Sequence, residues 1–175
     1  MHPPPLSFAV LIVLALVGCS GNGDDEQVVL PEDPCALLSA DDVAATTEAT
    51  VTKTERVASI DQIVAVQDRG GTADDVPTGD RRLCSYTTTS RLRAITVFVP
   101  KASGDAAKLF TSRRGGHDES VDGVGDDAYL AGGASLHVLV GVAAFSIQVQ
   151  DATGATEVRG VLTKLAKRAI DRLAS

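Results

Sequence analysis

The chain has 175 residues, a net charge of −7, three Cys and no Trp. So acidic a body is repelled by nucleic-acid phosphates and anionic lipid surfaces, which sets aside nucleic acid as a partner and a basic patch as a membrane anchor. Stacking platforms for sugars or bases need several exposed rings, and beyond residue 18 only Tyr86, Phe98, Phe110, Tyr129 and Phe145 remain, each in or beside an expected strand or helix.

The apolar run Phe8–Val17 has the length of a signal peptide's central region and is too short to span a bilayer. It closes in Leu16-Val17-Gly18-Cys19 and opens onto the polar stretch Ser20-Gly21-Asn22-Gly23-Asp24-Asp25-Glu26. That is the layout of a secretory signal peptide, residues 1–18, ending in a lipobox, with cleavage before Cys19 and a diacylglyceryl group on its sulfur. Each buried methylene contributes about 0.8 kcal/mol, so two or more acyl chains hold essentially permanently. The segment Met1-His2-Pro3-Pro4-Pro5 carries no Lys or Arg; either His2 and the α-amino group supply the positive charge or translation starts upstream. Residues 19–34 read as a flexible acidic tether, spanning about 20 Å on average. Residues 35–175 then form one extracytoplasmic domain on the outer face of a cell membrane, long enough for a core of its own.

Within that domain, Ser39 is a plausible N-cap, with Asp41 and Asp42 in the first turn where the helix dipole favours acids. Thr50–Thr54 alternates as a strand would. Ser59–Gln67 is ambiguous: Ile60, Ile63, Val64 and Gln67 fit a helical face, yet Ile63-Val64-Ala65-Val66 fits a strand equally well. Asp68–Arg82 is a polar loop of about fifteen residues, long enough to be disordered or functional, and its composition leans to disorder. Cys84–Thr89 and Ala94–Val99 pair as strands around a turn at Ser90-Arg91, with Ile95, Val97 and Val99 on one face. Ser103–Arg114 reads as a helix stopped by Gly115-Gly116. Ser135–Val140 and Phe145–Val149 alternate as half-buried strands. A last amphipathic helix, Thr156–Leu173, carries Val158, Val161, Leu162, Leu165, Ala169 and Leu173 in one stripe. Strands that do not alternate regularly with helices predict an α+β fold, a single antiparallel β-sheet with N-terminal, middle and C-terminal helices packed on it.

With Cys19 taken by lipid, Cys35 and Cys84 remain as an even pair on the oxidising side of the membrane. A bridge closes a loop of about 49 residues and contributes about 4 kcal/mol in the chain-entropy model. It pins the N-terminal helix to the strand carrying Tyr86. The alternative is two free thiols, with no CxxC spacing and no basic neighbours to make either reactive.

Gly123-Val124-Gly125-Asp126-Asp127-Ala128 matches a dinucleotide fingerprint on paper. The motif needs a following helix whose N–H groups meet pyrophosphate; here strand-like residues follow, and two carboxylates sit where phosphates belong, so a tight glycine turn is expected instead. Asp122, Asp126 and Asp127 suggest calcium, but lack the alternating spacing and terminal Glu of an EF-hand loop. Neither a metal nor a cofactor is expected. His117 reads as a solvated turn residue and His137 as a solvent-facing or satisfied sheet residue. No G-x-S-x-G, H-E-x-x-H or S-x-x-K occurs.

Asp33-Pro34-Cys35 with Leu37-Leu38-Ser39, then Cys84-Ser85-Tyr86, then Gly123-Val124-Gly125-Asp126-Asp127-Ala128 come in order behind a lipobox and before a terminal amphipathic helix. This set resembles the actinobacterial lipoprotein family catalogued as domain of unknown function 3558, over most of residues 33–173. The resemblance implies an envelope lipoprotein with a disulfide between the positions of Cys35 and Cys84, and implies no activity. The expectation is a non-catalytic, lipid-anchored binding or accessory module of the cell envelope, whose partner is a lipid, a small molecule or another envelope protein. The alternatives are an envelope enzyme using Asp122, Asp126, Asp127 or His117, or a lipid carrier with an apolar cavity.

Overall fold

One seven-stranded sheet organises the computed structural model, which describes residues 28–92, 94–100, 106–150 and 155–175. The expected signal peptide, Cys19, most of the tether and the first residues of the expected middle helix lie outside the described residues. The strands are β1 (Val51–Val57), β2 (Leu83–Thr88), β3 (Ala94–Phe98), β4 (Glu119–Ser120), β5 (Asp127–Ala131), β6 (Ser135–Val140) and β7 (Ala143–Gln150). They lie in the order β1-β2-β3-β7-β6-β5-β4, and every neighbouring pair is antiparallel. Among the described residues four α-helices accompany them: α1 (Ala40–Thr47), α2 (Ile60–Gln67), α3 (Ala106–Arg113) and α4 (Ala155–Leu173). The fold is α+β, as the sequence predicts.

Strand alternation sorts the side chains onto two faces. Tyr86 lies opposite Ile95, and Ile95 opposite Val149; Cys84, Val97, Ile147 and Leu136 form the parallel row. These residues are buried against Leu37, Leu38 and Val43 and against the α4 stripe of Val158, Leu162, Leu165, Ala166 and Ala169. Leu162 and Leu165 are fully buried, a burial that stabilises by about 2 kcal/mol for each side chain. On the second face α3 sets Ala106 and Phe110 against Tyr129 and Ala144. Further along that face Thr87, Gln148 and Gln150 stand exposed.

Cys35 and Cys84 are disulfide-bonded, with Cα atoms 5.0 Å apart and a sequence separation of 49. The Tyr86 hydroxyl donates to the Leu38 carbonyl at 2.5 Å, so two ties hold the entry segment to β2. Immediately after, Ser39 caps α1: its hydroxyl accepts from the Asp42 N–H at 3.0 Å while the Asp42 carboxylate accepts from the Ser39 N–H at 3.0 Å. The same carboxylate receives Arg168 at 3.2 Å and Arg172 at 2.7 Å from α4. Burial raises the Asp42 pKa, but the Ser39 hydroxyl and N–H and the Arg172 guanidinium outweigh it and hold the group below the usual carboxyl value.

Two sequence expectations change. Ser59–Gln67 resolves as a helix, because Gln62 Oε1 accepts from the Ser59 N–H at 3.1 Å in a capping arrangement that a strand cannot use. Its apolar face is not buried, however: Ile60 is 81% and Val64 47% exposed. Polar ties hold this helix, including Gln62 Nε2 donating to the Asp80 carbonyl at 2.6 Å. The second change is the loop Asp68–Arg82, which is ordered. Two 3₁₀ turns, Ala73–Asp75 and Thr78–Asp80, shape it. Arg56 of β1 donates to the Gly79 and Arg81 carbonyls at 2.7 and 2.8 Å, and Val76 is buried. No described helix is long and apolar enough to cross a membrane.

Candidate functional site

The residues singled out in sequence scatter. At Asp122–Asp127 the chain makes a turn with Gly123 at φ 71° and Gly125 at φ 61°, and β5 rather than a helix follows. A Cβ at Gly125 would run into the Leu139 carbonyl oxygen, so close backbone approach fixes glycine there. Asp126 accepts from the Gly141 N–H at 2.5 Å, Asp127 pairs with Arg114 at 3.1 Å, and Asp122 is exposed. Among the described residues no three His, Cys, Asp or Glu side chains gather as a metal-binding group. His117 is exposed in the turn between α3 and β4.

His137 is half-buried on the second sheet face, stacked on Tyr129 with ring centroids 4.7 Å apart. Burial, with a smaller contribution from the Arg113 charge, lowers its pKa against the opposing charge of Asp118. Ser146 lies directly across from it on β7, yet among the described residues no hydrogen bond joins the two. His137, Phe98, Phe110 and Arg113 wall a cleft of about 30 Å³. That volume holds about one water.

A larger feature lies on the helix-covered side. An open groove of about 480 Å³ runs between the C-terminal end of α1, the β2–β3 turn and the first half of α4, within the range of small-molecule sites. Three unusual features meet in its walls. The first is Thr46, whose hydroxyl is buried without a hydrogen-bond partner among the described residues. The other two hydroxyls of the groove are occupied: Thr47 donates to the Val43 carbonyl at 2.8 Å, and Ser90 accepts from the Leu92 N–H at 3.0 Å. Buried polar groups are nearly always paired in native proteins, and an orphan calls for a water, an ion or a ligand.

The second is Glu48, at the C-cap of α1 with φ 52°, the only described non-glycine at positive φ. Glycine normally takes this position, and a non-glycine there costs about 1 kcal/mol. The third is Gly160. It sits inside α4, where glycine costs about 1 kcal/mol relative to alanine, and a Cβ added to it would meet nothing within 4 Å. Packing therefore does not require the glycine. Leu92, buried, and Val161, half-buried, supply apolar surface between the polar walls.

Sequence reading found none of this. Gly160 alone left a signal, as the one glycine within an otherwise strong helical stripe. No family model, no curated protein and no solved structure matches this chain.

Proposed function

We propose that this protein is a lipid-anchored, extracytoplasmic binding module of the cell envelope, of the actinobacterial lipoprotein type its motif order resembles. Cys19 carries the anchor, the following acidic residues form the tether, and the α+β domain presents a ligand site to the envelope space. Its work is non-catalytic: it binds a small molecule or an exposed segment of another envelope component, and not nucleic acid. The observation that carries this reading is the groove of about 480 Å³, lined by two acidic and two basic side chains, Glu48 and Glu157, Arg91 and Lys164. A groove of that size, walled by charges of both signs, suits a small polar ligand. The His137 cleft, at about 30 Å³, is too small as it stands for the apolar cavity a lipid carrier needs.

The test is a thermal-shift screen of polar small molecules on the full chain in mild detergent, wild type beside Gly160→Phe. A ligand at one hundred times its dissociation constant stabilises by about 2.7 kcal/mol. The reading requires at least one compound that raises the wild-type melting temperature and leaves the variant's unchanged. Hits that act equally on both proteins, or an absence of hits, would contradict it.

A further inference from the structure

We infer that the groove recognises a short zwitterionic peptide of about three residues, an inference that rests on the binding-module reading above and names its ligand class. Four charged side chains line the groove, two of each sign: Glu48 and Glu157, Arg91 and Lys164. All four are exposed, and none has an ion-pair partner among the described residues. The contrast with the far end of α4 is direct, since Arg168 and Arg172 there both close onto Asp42. A ligand of single charge would meet repulsion from one pair for every attraction from the other. A ligand carrying both charges, suitably separated, satisfies both pairs.

The separation follows from α4. Glu157 and Lys164 lie on one side of the helix, seven residues apart in sequence, with Gly160 between them. At 1.5 Å per residue they are offset by about 10 Å along the axis. An extended chain advances about 3.3–3.6 Å per residue, so about three residues carry an α-ammonium and an α-carboxylate that far apart. Gly160 leaves room for the backbone to lie against the helix. Leu92 and Val161 offer apolar contact to small side chains. The ammonium is placed toward Glu157 and the carboxylate toward Lys164.

The experiment is calorimetric titration of the detergent-solubilised full chain with trialanine, N-acetyl-trialanine and trialanine amide. We expect trialanine to bind, and blocking either terminus to weaken binding at least tenfold. Lys164→Met should abolish the preference for free acid over amide while keeping the penalty for acetylation; Glu157→Gln should do the reverse. Both positions are exposed, and circular dichroism checks that both variants fold. Equal binding of free and blocked peptides would overturn the zwitterion, as would no binding of trialanine at millimolar concentration. In either event, a different compound whose stabilisation is lost in Gly160→Phe leaves the binding module standing, whereas no such compound removes both.

Discussion

Replacing Tyr86 by Phe removes one oxygen from the middle of the core. The ring is fully buried, and its hydroxyl donates to the carbonyl of Leu38, which is fully buried as well. Burial first, and the Asp33 charge after it, push the phenol pKa far above its ordinary value, so it remains a donor at any pH the protein meets. Deleting it loses a net hydrogen bond of about 1 kcal/mol and leaves a buried acceptor facing a hydrocarbon edge, so the whole loss is about 2 kcal/mol. For a chain of this length that corresponds to about 4–8 °C in melting temperature. Urea unfolding followed by far-ultraviolet circular dichroism reads it, with an unchanged m-value showing that stability alone has moved. The disulfide acts on the same segment, so the two ties should be coupled: the penalty for Tyr86→Phe should differ by at least about 0.5 kcal/mol between oxidised and reduced protein. A loss below about 0.5 kcal/mol in the oxidised protein would refute the claim that this hydrogen bond fixes the entry segment to β2.

Replacing both Cys35 and Cys84 by Ala should cost about 4 kcal/mol, the loop-closure contribution for their separation, read as a lower denaturant midpoint. Gly160→Ala should stabilise by about 1 kcal/mol, since the added methyl meets open space and a helical glycine is removed; destabilisation would mean the position is packed. Asp42→Asn should cost about 1–2 kcal/mol at pH 7 through loss of its arginine pairs and weakening of the α1 cap. Because the folded Asp42 carboxyl titrates below its ordinary 3.8, that contribution is full above this value, declines below it and is lost as pH falls through the folded value. Unfolding curves of the two proteins from pH 7 to pH 2 should therefore converge at the acid end. In a host that processes lipoproteins, the full chain should enter the detergent phase on cloud-point partitioning and Cys19→Ala the aqueous phase; an aqueous wild type would remove the anchor.

What the sequence discloses is what depends on near neighbours. The alternation of Phe145, Ile147 and Val149 against Ser146, Gln148 and Gln150 marks β7, and the spacing of Leu162, Leu165 and Ala169 marks α4, because each pattern is the local imprint of one buried face. Ser39 and Asp42 announce α1 for the same reason. Ser59–Gln67 is undecidable by pattern, since its apolar run fits either period, and the deciding contact is between Gln62 and the backbone of Ser59. The order of Asp68–Arg82 is illegible because Arg56, more than twenty residues upstream of the carbonyls it meets, imposes it. The groove is the extreme case. Thr46 and Glu48, Arg91, and Gly160 with Lys164 come from three distant stretches, and an unpaired hydroxyl or a left-handed glutamate exists only once the chain has folded around it.

The proposed binding role requires that the groove be occupied in the cell. Native mass spectrometry of the full chain, extracted from membranes in mild detergent, tests it most directly, with Gly160→Phe prepared in parallel. A small bound mass is expected on a fraction of the wild-type protein, beyond any acyl group on Cys19, and is expected to be absent from the variant. The same mass in both preparations, with no added ligand in either, would refute that requirement.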